Sequence, residues 1–130
     1  MLTIEHLTKR YGDKTAVDDL SLNIAPGEIY GFIGPNGAGK TTTIKACCGI
    51  LQPDSGEIRI GGHSVREEPL VCKAQTAYLP DNPDLYDFMS GSQYLRFIAD
   101  IFRSPAEVRK ERIRKLAGLF ELLDDLAQPI

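Results

Sequence analysis

The chain has 130 residues, 42% of them apolar, and 15 Lys and Arg against 18 Asp and Glu give a formal charge of −3. That balance carries neither the basic footprint of a nucleic-acid binder nor that of a membrane-surface protein, and the length suits one domain's worth of chain. Three cysteines without paired metal-type spacing point to a reducing compartment rather than a disulfide framework. No apolar run approaches the roughly 20 residues that cross a bilayer, so a soluble, cytoplasmic chain is expected, with any membrane contact made through a partner.

Met1 leads directly into Leu2-Thr3-Ile4-Glu5-His6-Leu7, which alternates like a strand and not like a secretory leader. Ala16 to Ile24 alternates over its second half, and Pro26-Gly27 supplies a turn, so the first 33 residues read as a small antiparallel unit. Glu28-Ile29-Tyr30-Gly31-Phe32-Ile33 then reads as a buried strand.

That strand runs into Gly34-Pro35-Asn36-Gly37-Ala38-Gly39-Lys40-Thr41-Thr42, a complete G-x-x-x-x-G-K-[ST] loop. Chance gives the pattern in about one chain in two hundred of this length. Its chemistry is that of a nucleoside triphosphate site. Glycines let successive N–H groups turn inward around the α/β-phosphates, Lys40 reaches the β/γ-phosphates, and the Thr41 hydroxyl is a ligand for Mg²⁺. The helix predicted from Lys40 to Cys48 stops at Gly49, with Cys47 and Cys48 read as small apolar packing residues.

After this helix, Pro53-Asp54-Ser55-Gly56 is a predicted turn, Glu57-Ile58-Arg59-Ile60 a period-two strand and Gly61-Gly62 a tight reversal. Gln75 to Leu79 is a further strand candidate, closed by Pro80. From Asp87 the period becomes helical. Ser90-x-x-Gln93 and Ser104-x-x-Glu107, the latter with Pro105 at N1, are two capping boxes. Ile113, Leu116, Ala117, Phe120 and Leu123 form an apolar stripe, and the cluster Arg109, Lys110, Arg112, Arg114 and Lys115 reads as a solvated face paired with Glu107 and Glu111.

The order of these motifs resembles the ATP-binding subunit of ABC transporters over the whole chain. G-P-N-G-A-G-K-T-T-T is that family's phosphate loop, and P-G-E-I-Y-G-F-I-G before it and G-I-L-Q-P-D-S-G-E-I after it are typical of the family. The resemblance implies an α/β P-loop NTPase fold with a partial RecA-like core, an antiparallel N-terminal β subdomain and the start of a helical subdomain. It divides the chain into residues 1–86, the β subdomain with the phosphate-loop half of the core, and residues 87–130. It also implies that Tyr11 stacks on the adenine, that Gly34 to Thr42 hold the ATP phosphates with Lys40 the catalytic cation, and that Thr41 and Asp81 face Mg²⁺. Asp81 stands where the family usually has a glutamine, as in exporters of the two-component permease type. Its other reading is as the opener of a turn at residues 81–84.

Catalysis in this family resembles other phosphoryl transfers, which need a Mg²⁺ carboxylate at a strand end, a water-positioning group and a charge-stabilising group. None of these is evident here. Leu122-Leu123-Asp124-Asp125 continues a helical stripe instead of ending a strand, and Met89-Ser90-Gly91-Ser92-Gln93 imitates the family signature but sits too early and is explained by its capping box. The expected reading is an N-terminal portion of the subunit, lacking the rest of the ATPase domain.

The intact protein implied by the resemblance closes ATP between two such subunits, homo- or heterodimeric, and drives a transmembrane permease from the inner face of the membrane, with no nucleic acid involved. The alternatives are a soluble ABC-type ATPase acting in translation or DNA maintenance, or a nucleotide-binding regulator that does not hydrolyse. A GTPase would need a guanine-reading N-K-x-D motif, which the sequence lacks. The 130-residue chain alone is expected to hydrolyse ATP no faster than background and to cover its open sheet edge and apolar face by self-association, rearrangement or swapping between chains. A phosphate-release assay with light scattering checks both; a monomer with the rate of an intact subunit would show that the catalytic residues lie within these 130.

Overall fold

A computed structural model describes residues 1–83 and 85–130. They form two compact units, Met1–Leu79 and Pro80–Ile130. In the first unit β1 (Leu2–Tyr11) and β2 (Lys14–Ile24) make a long hairpin, followed by α1 (Lys40–Cys47), β3 (Ser55–Ile60), β4 (His63–Ser64) and α2 (Pro69–Ala74). The four strands form one antiparallel sheet in the order β2-β1-β3-β4.

The sheet's inner face meets α1. Ile4, Leu7, Val17 and Ile58 from the strands and Ala46 from the helix are buried together, with Leu20, Leu22, Cys47, Leu51 and Val65 packed around them. Ile4 and Leu7 are three residues apart, so an unbroken strand would send one of them to the outer face. The pairing of β1 with β2 is irregular between Ile4 and Leu7, and His6 takes a positive φ of 52° there. That bulge turns both side chains inward, where burial stabilises the fold by about 2 kcal/mol each. Across the hairpin Asp19 has a φ of 49°, and its carboxylate lies 2.7 Å from His6 Nδ1.

Helix α1 ends where the sequence predicts. Gly49 has a φ of 65°, its N–H donates to Ala46 O, and Ile50 N donates to Lys45 O, both pairings of the Schellman motif. Gly61 and Gly62, both at positive φ, make the reversal from β3 to β4. Helix α2 has no counterpart in the sequence reading. It starts after Ser64, whose Oγ accepts from Arg66 N and Glu67 N, and it carries Pro69 in its first turn.

Two predicted strands do not form. Residues 28–33 and 75–79 have no ladder in the described residues, and Ile29, Ile33 and Leu79 are almost fully exposed. A buried parallel strand depends on neighbours for both its backbone bonds and its side-chain cover, and the antiparallel sheet here offers it neither.

In the second unit α3 (Gly91–Ile101) carries the full capping box of Ser90 and Gln93, at 3.3 and 2.8 Å. Its next two amides are satisfied by the chain's last residues, Gly91 N donating to Gln128 O and Ser92 N to Leu126 O. Tyr86 gathers Phe88, Tyr94 and Phe97 within 6.1 Å between ring centroids. Helix α4 (Ala106–Leu119) departs from expectation at both ends. Pro105, extended at ψ 142°, is its N-cap, so the predicted Ser104 box does not form and Ser104 O instead accepts from Arg109. The apolar stripe is buried only at Ala117 and part-buried at Ile113, and residues 123–127 form turns rather than continuing the helix. Arg109 pairs with Asp100 at 2.6 Å rather than with the expected Glu107 or Glu111. The last residue of the turn read at 81–84 lies outside the described residues, and residues 81–82 form a bend.

Gly56 faces the β1 bulge at a φ of 95°, where an added Cβ would sit 2.5 Å from His6 O and 2.7 Å from Glu5 O. Gly56→Ala is therefore expected to lower stability by about 2 kcal/mol or more, seen as a lower urea midpoint at unchanged slope.

Candidate nucleotide site

The loop that precedes α1 is shaped by its glycines. Gly37 and Gly39 have φ values of 84° and 85°, a conformation that side-chain-bearing residues rarely adopt, and Ala38 N closes a turn onto Pro35 O at 3.2 Å. Gly39 is the N-cap of α1 and supplies no side chain to it, so the helix's first amides keep their donors for a ligand. A Cβ on Gly39 would lie 2.2 Å from Ala16 O and 3.1 Å from a Val17 methyl, so backbone is pressed against backbone where the loop crosses β2. From the helix side, Thr43 is buried and donates its Oγ1 to Gly39 O at 3.0 Å.

Within this frame Lys40 Nζ donates to Gly34 O at 2.5 Å and to Pro35 O at 2.8 Å, folding the ammonium over the entrance of its own loop. Pro35, Asn36, Gly37, Ala38 and Thr41 are exposed, and Gly34, Gly39 and Thr42 are part-buried. The donor set suits a polyphosphate: a positive helix end, a row of loop amides, a lysine and two hydroxyls, with no carboxylate among residues 34–42.

Tyr11 ends β1 opposite Lys14, with its ring half exposed. Ala16, whose carbonyl touches Gly39, is two residues further along β2, which puts the Tyr11 backbone about 7–10 Å along the strand from the loop. The ring thus belongs to the hairpin against which the phosphate loop packs. Asp81 is exposed in the second unit, and among the described residues no group of three or more His, Cys, Asp or Glu is arranged for a metal ion. Ser90 and Gln93, from the signature-like stretch, are occupied by capping.

Two features escaped the sequence. Asp54, read as a turn residue, accepts from both Arg10 N and Lys9 Nζ, a link across 44 and 45 residues that no local spacing announces. The Cys47 thiol, on the loop helix, is pushed up to about 11 by burial and then by Cys48 beside it. It is a packing residue, held away from the thiolate form.

Comparison with known proteins places this geometry. The sequence profile of the ABC transporter family matches residues 17–130, and the chain belongs to that family. Its nucleotide-binding part is the class that the fold and the loop define. An uncharacterised ABC transporter ATP-binding protein of Bacillus subtilis is 34% identical over 125 residues, which are 96% of this chain and 41% of that protein. A daunorubicin resistance ATP-binding protein of Streptomyces coeruleorubidus is 35% identical over 123 residues, 95% of this chain and 39% of that one. Among solved structures, an ATP-binding subunit of an ABC transporter superposes with a TM-score of 0.89 at 30% identity, over 99% of this chain and 54% of the other. The chain thus spans about two fifths of the length of these relatives and about half of the solved subunit.

The raised Cys47 value has a direct readout. Against a thiol of ordinary value 9.0, a shift to about 11 leaves about a hundredfold less thiolate near pH 8. Iodoacetamide should therefore label Cys47 about two orders of magnitude more slowly than the thiols of the urea-unfolded chain, as mass spectrometry of the labelled peptides can check.

Proposed function

We propose that this chain is the phosphate- and adenine-binding part of an ATP-binding subunit that couples ATP binding and hydrolysis to transport through a membrane permease. The observation that carries the reading is the seating of Gly39 on Ala16, which fixes the phosphate loop against the same hairpin that ends in Tyr11. One rigid hairpin sets the distance between a base platform and a phosphate cradle. Family membership and the likeness to a solved ATP-binding subunit support it.

In this reading the loop amides from Gly34 to Thr42 and the positive end of α1 hold the phosphates. Lys40 leaves the Gly34 and Pro35 carbonyls to neutralise charge at the β/γ-phosphates, and the Tyr11 ring stacks on the adenine. Thr41, exposed in the first turn of α1, would hold Mg²⁺ through its hydroxyl, and Asp81, where a glutamine is usual, has the chemistry of a hard oxygen ligand for it. The metal supplies charge neutralisation across the phosphates. Residues 1–86 serve as the β subdomain with the phosphate-loop half of the core, and residues 87–130 open the helical subdomain. Hydrolysis belongs to the intact subunit, working as a homo- or heterodimer on permease subunits at the cytoplasmic face of the membrane. No helix among the described residues is long and apolar enough to cross the bilayer.

Titration calorimetry tests the site residue by residue. Lys40→Ala should weaken ATP binding at least tenfold, and unchanged affinity would overturn the loop assignment. Tyr11→Ala should cost about 1 kcal/mol of affinity and Tyr11→Phe little, because the ring and not the hydroxyl makes the contact.

A further inference from the structure

The end of β1 is tied by a single residue to the turn that follows α1. Asp54 Oδ2 accepts from Arg10 N at 2.6 Å, Oδ1 accepts from Lys9 Nζ at 2.9 Å, and Asp54 N donates to Thr8 O at 3.0 Å. Three bonds thus join residue 54 to three successive residues just before Tyr11. The chain from Met1 to Leu79 is one compact unit, so these contacts, the hairpin and the phosphate loop belong to the same body.

The Lys9 ammonium that Asp54 holds lies over the Tyr11 ring, 5.6 Å from its centroid. Lys9 is only 16% exposed, whereas the Tyr11 ring is half exposed. A part-buried lysine stem whose ammonium is held by the carboxylate acts as a spacer: the carboxylate positions the ammonium, and the ammonium positions the ring. Tyr11 needs such support. Leu7 is the last fully buried side chain of β1, and the four residues after it run out to the exposed Gly12-Asp13 turn, where strand ends fray. Both acceptor oxygens carry charge-assisted bonds, the stronger kind. The Arg10 amide first, and the Lys9 side chain next, hold the Asp54 carboxyl below the usual carboxylate range, so the tie persists into mild acid.

We propose that Asp54 is a positioning residue for adenine recognition, fixing Tyr11 through Arg10 N and Lys9 so that one ring face takes the ammonium and the other is presented to the base. The inference rests on the reading of Tyr11 as the adenine platform. Asp54 also follows, within five residues, the Gly49 turn that ends α1, so the same carboxylate joins the tail of the phosphate-loop helix to the base platform. The two ends of one nucleotide are registered through it.

Calorimetry with two probes, ATP and inorganic tripolyphosphate, separates positioning from general damage, because tripolyphosphate has no base to stack. Asp54→Ala should weaken ATP about five- to tenfold and leave tripolyphosphate unchanged. Lys9→Met, which removes the ammonium but leaves the bond to Arg10 N, should show a smaller loss of the same kind. In a Tyr11→Ala background Asp54→Ala should have no further effect on ATP. Equal losses for ATP and tripolyphosphate in Asp54→Ala and Lys9→Met would make the carboxylate a structural brace and overturn the proposal. So would a loss of ATP affinity in Tyr11→Ala with none in Asp54→Ala. Wild-type binding of ATP no tighter than of tripolyphosphate would instead remove the adenine reading of Tyr11 itself, a distinct result that takes this inference down with it.

Discussion

The candidate nucleotide site depends on one close approach, that of the Gly39 backbone to the Ala16 carbonyl. No side chain fits between them, since a Cβ would stand 2.2 Å from the oxygen, and the φ of 85° excludes most residues on independent grounds. This contact places the first turn of α1 at a fixed point on β2. The direction of the helix dipole and the separation between the loop and the hairpin end at Tyr11 follow from it. Thr43 secures the same point from inside the helix, donating to Gly39 O while itself buried.

Much of this was legible because its signals are local. The loop motif, Gly49 at the end of α1, the Gly61-Gly62 reversal and the Ser90 capping box each depend on residues within a few positions of one another, and the structure has each where the spacing put it. Features set by long-range contact were not legible. The bulge at His6 shows only as an anomaly, Ile4 and Leu7 being buried three residues apart, and its partner Gly56 lies 50 residues away. The bonds from Arg10 and Lys9 to Asp54 are equally remote, and Ser104 lost its capping role to Pro105 through a shift of one residue.

Residues 28–33 and 75–79 make the complementary point. Their β-branched and aromatic content marks them as strands, yet such content describes what a segment can pair with, not whether a pairing strand is at hand. Each stands without a ladder, and Ile29 and Ile33 turn their side chains to solvent. Two of the sheet's three pairings are local, β1 meeting β2 across a two-residue turn and β3 meeting β4 across two glycines, and these hairpins anchor the long-range pairing of β1 with β3. Helix α1 closes the apolar face of that sheet without help from either segment.

The folded-back Lys40 gives the loop an internal competitor. Two carbonyl oxygens, of Gly34 and Pro35, already occupy the ammonium, so an arriving anion does not gain a free cation; it must displace a solvated pair of neutral acceptors. A singly charged anion offers little more than those dipoles do, whereas a chain of phosphates brings several charges to the same point. The resting contact therefore ties the Lys40 ammonium to the carbonyls that open its own loop, so any charge-pairing by this cation begins with the loss of two hydrogen bonds.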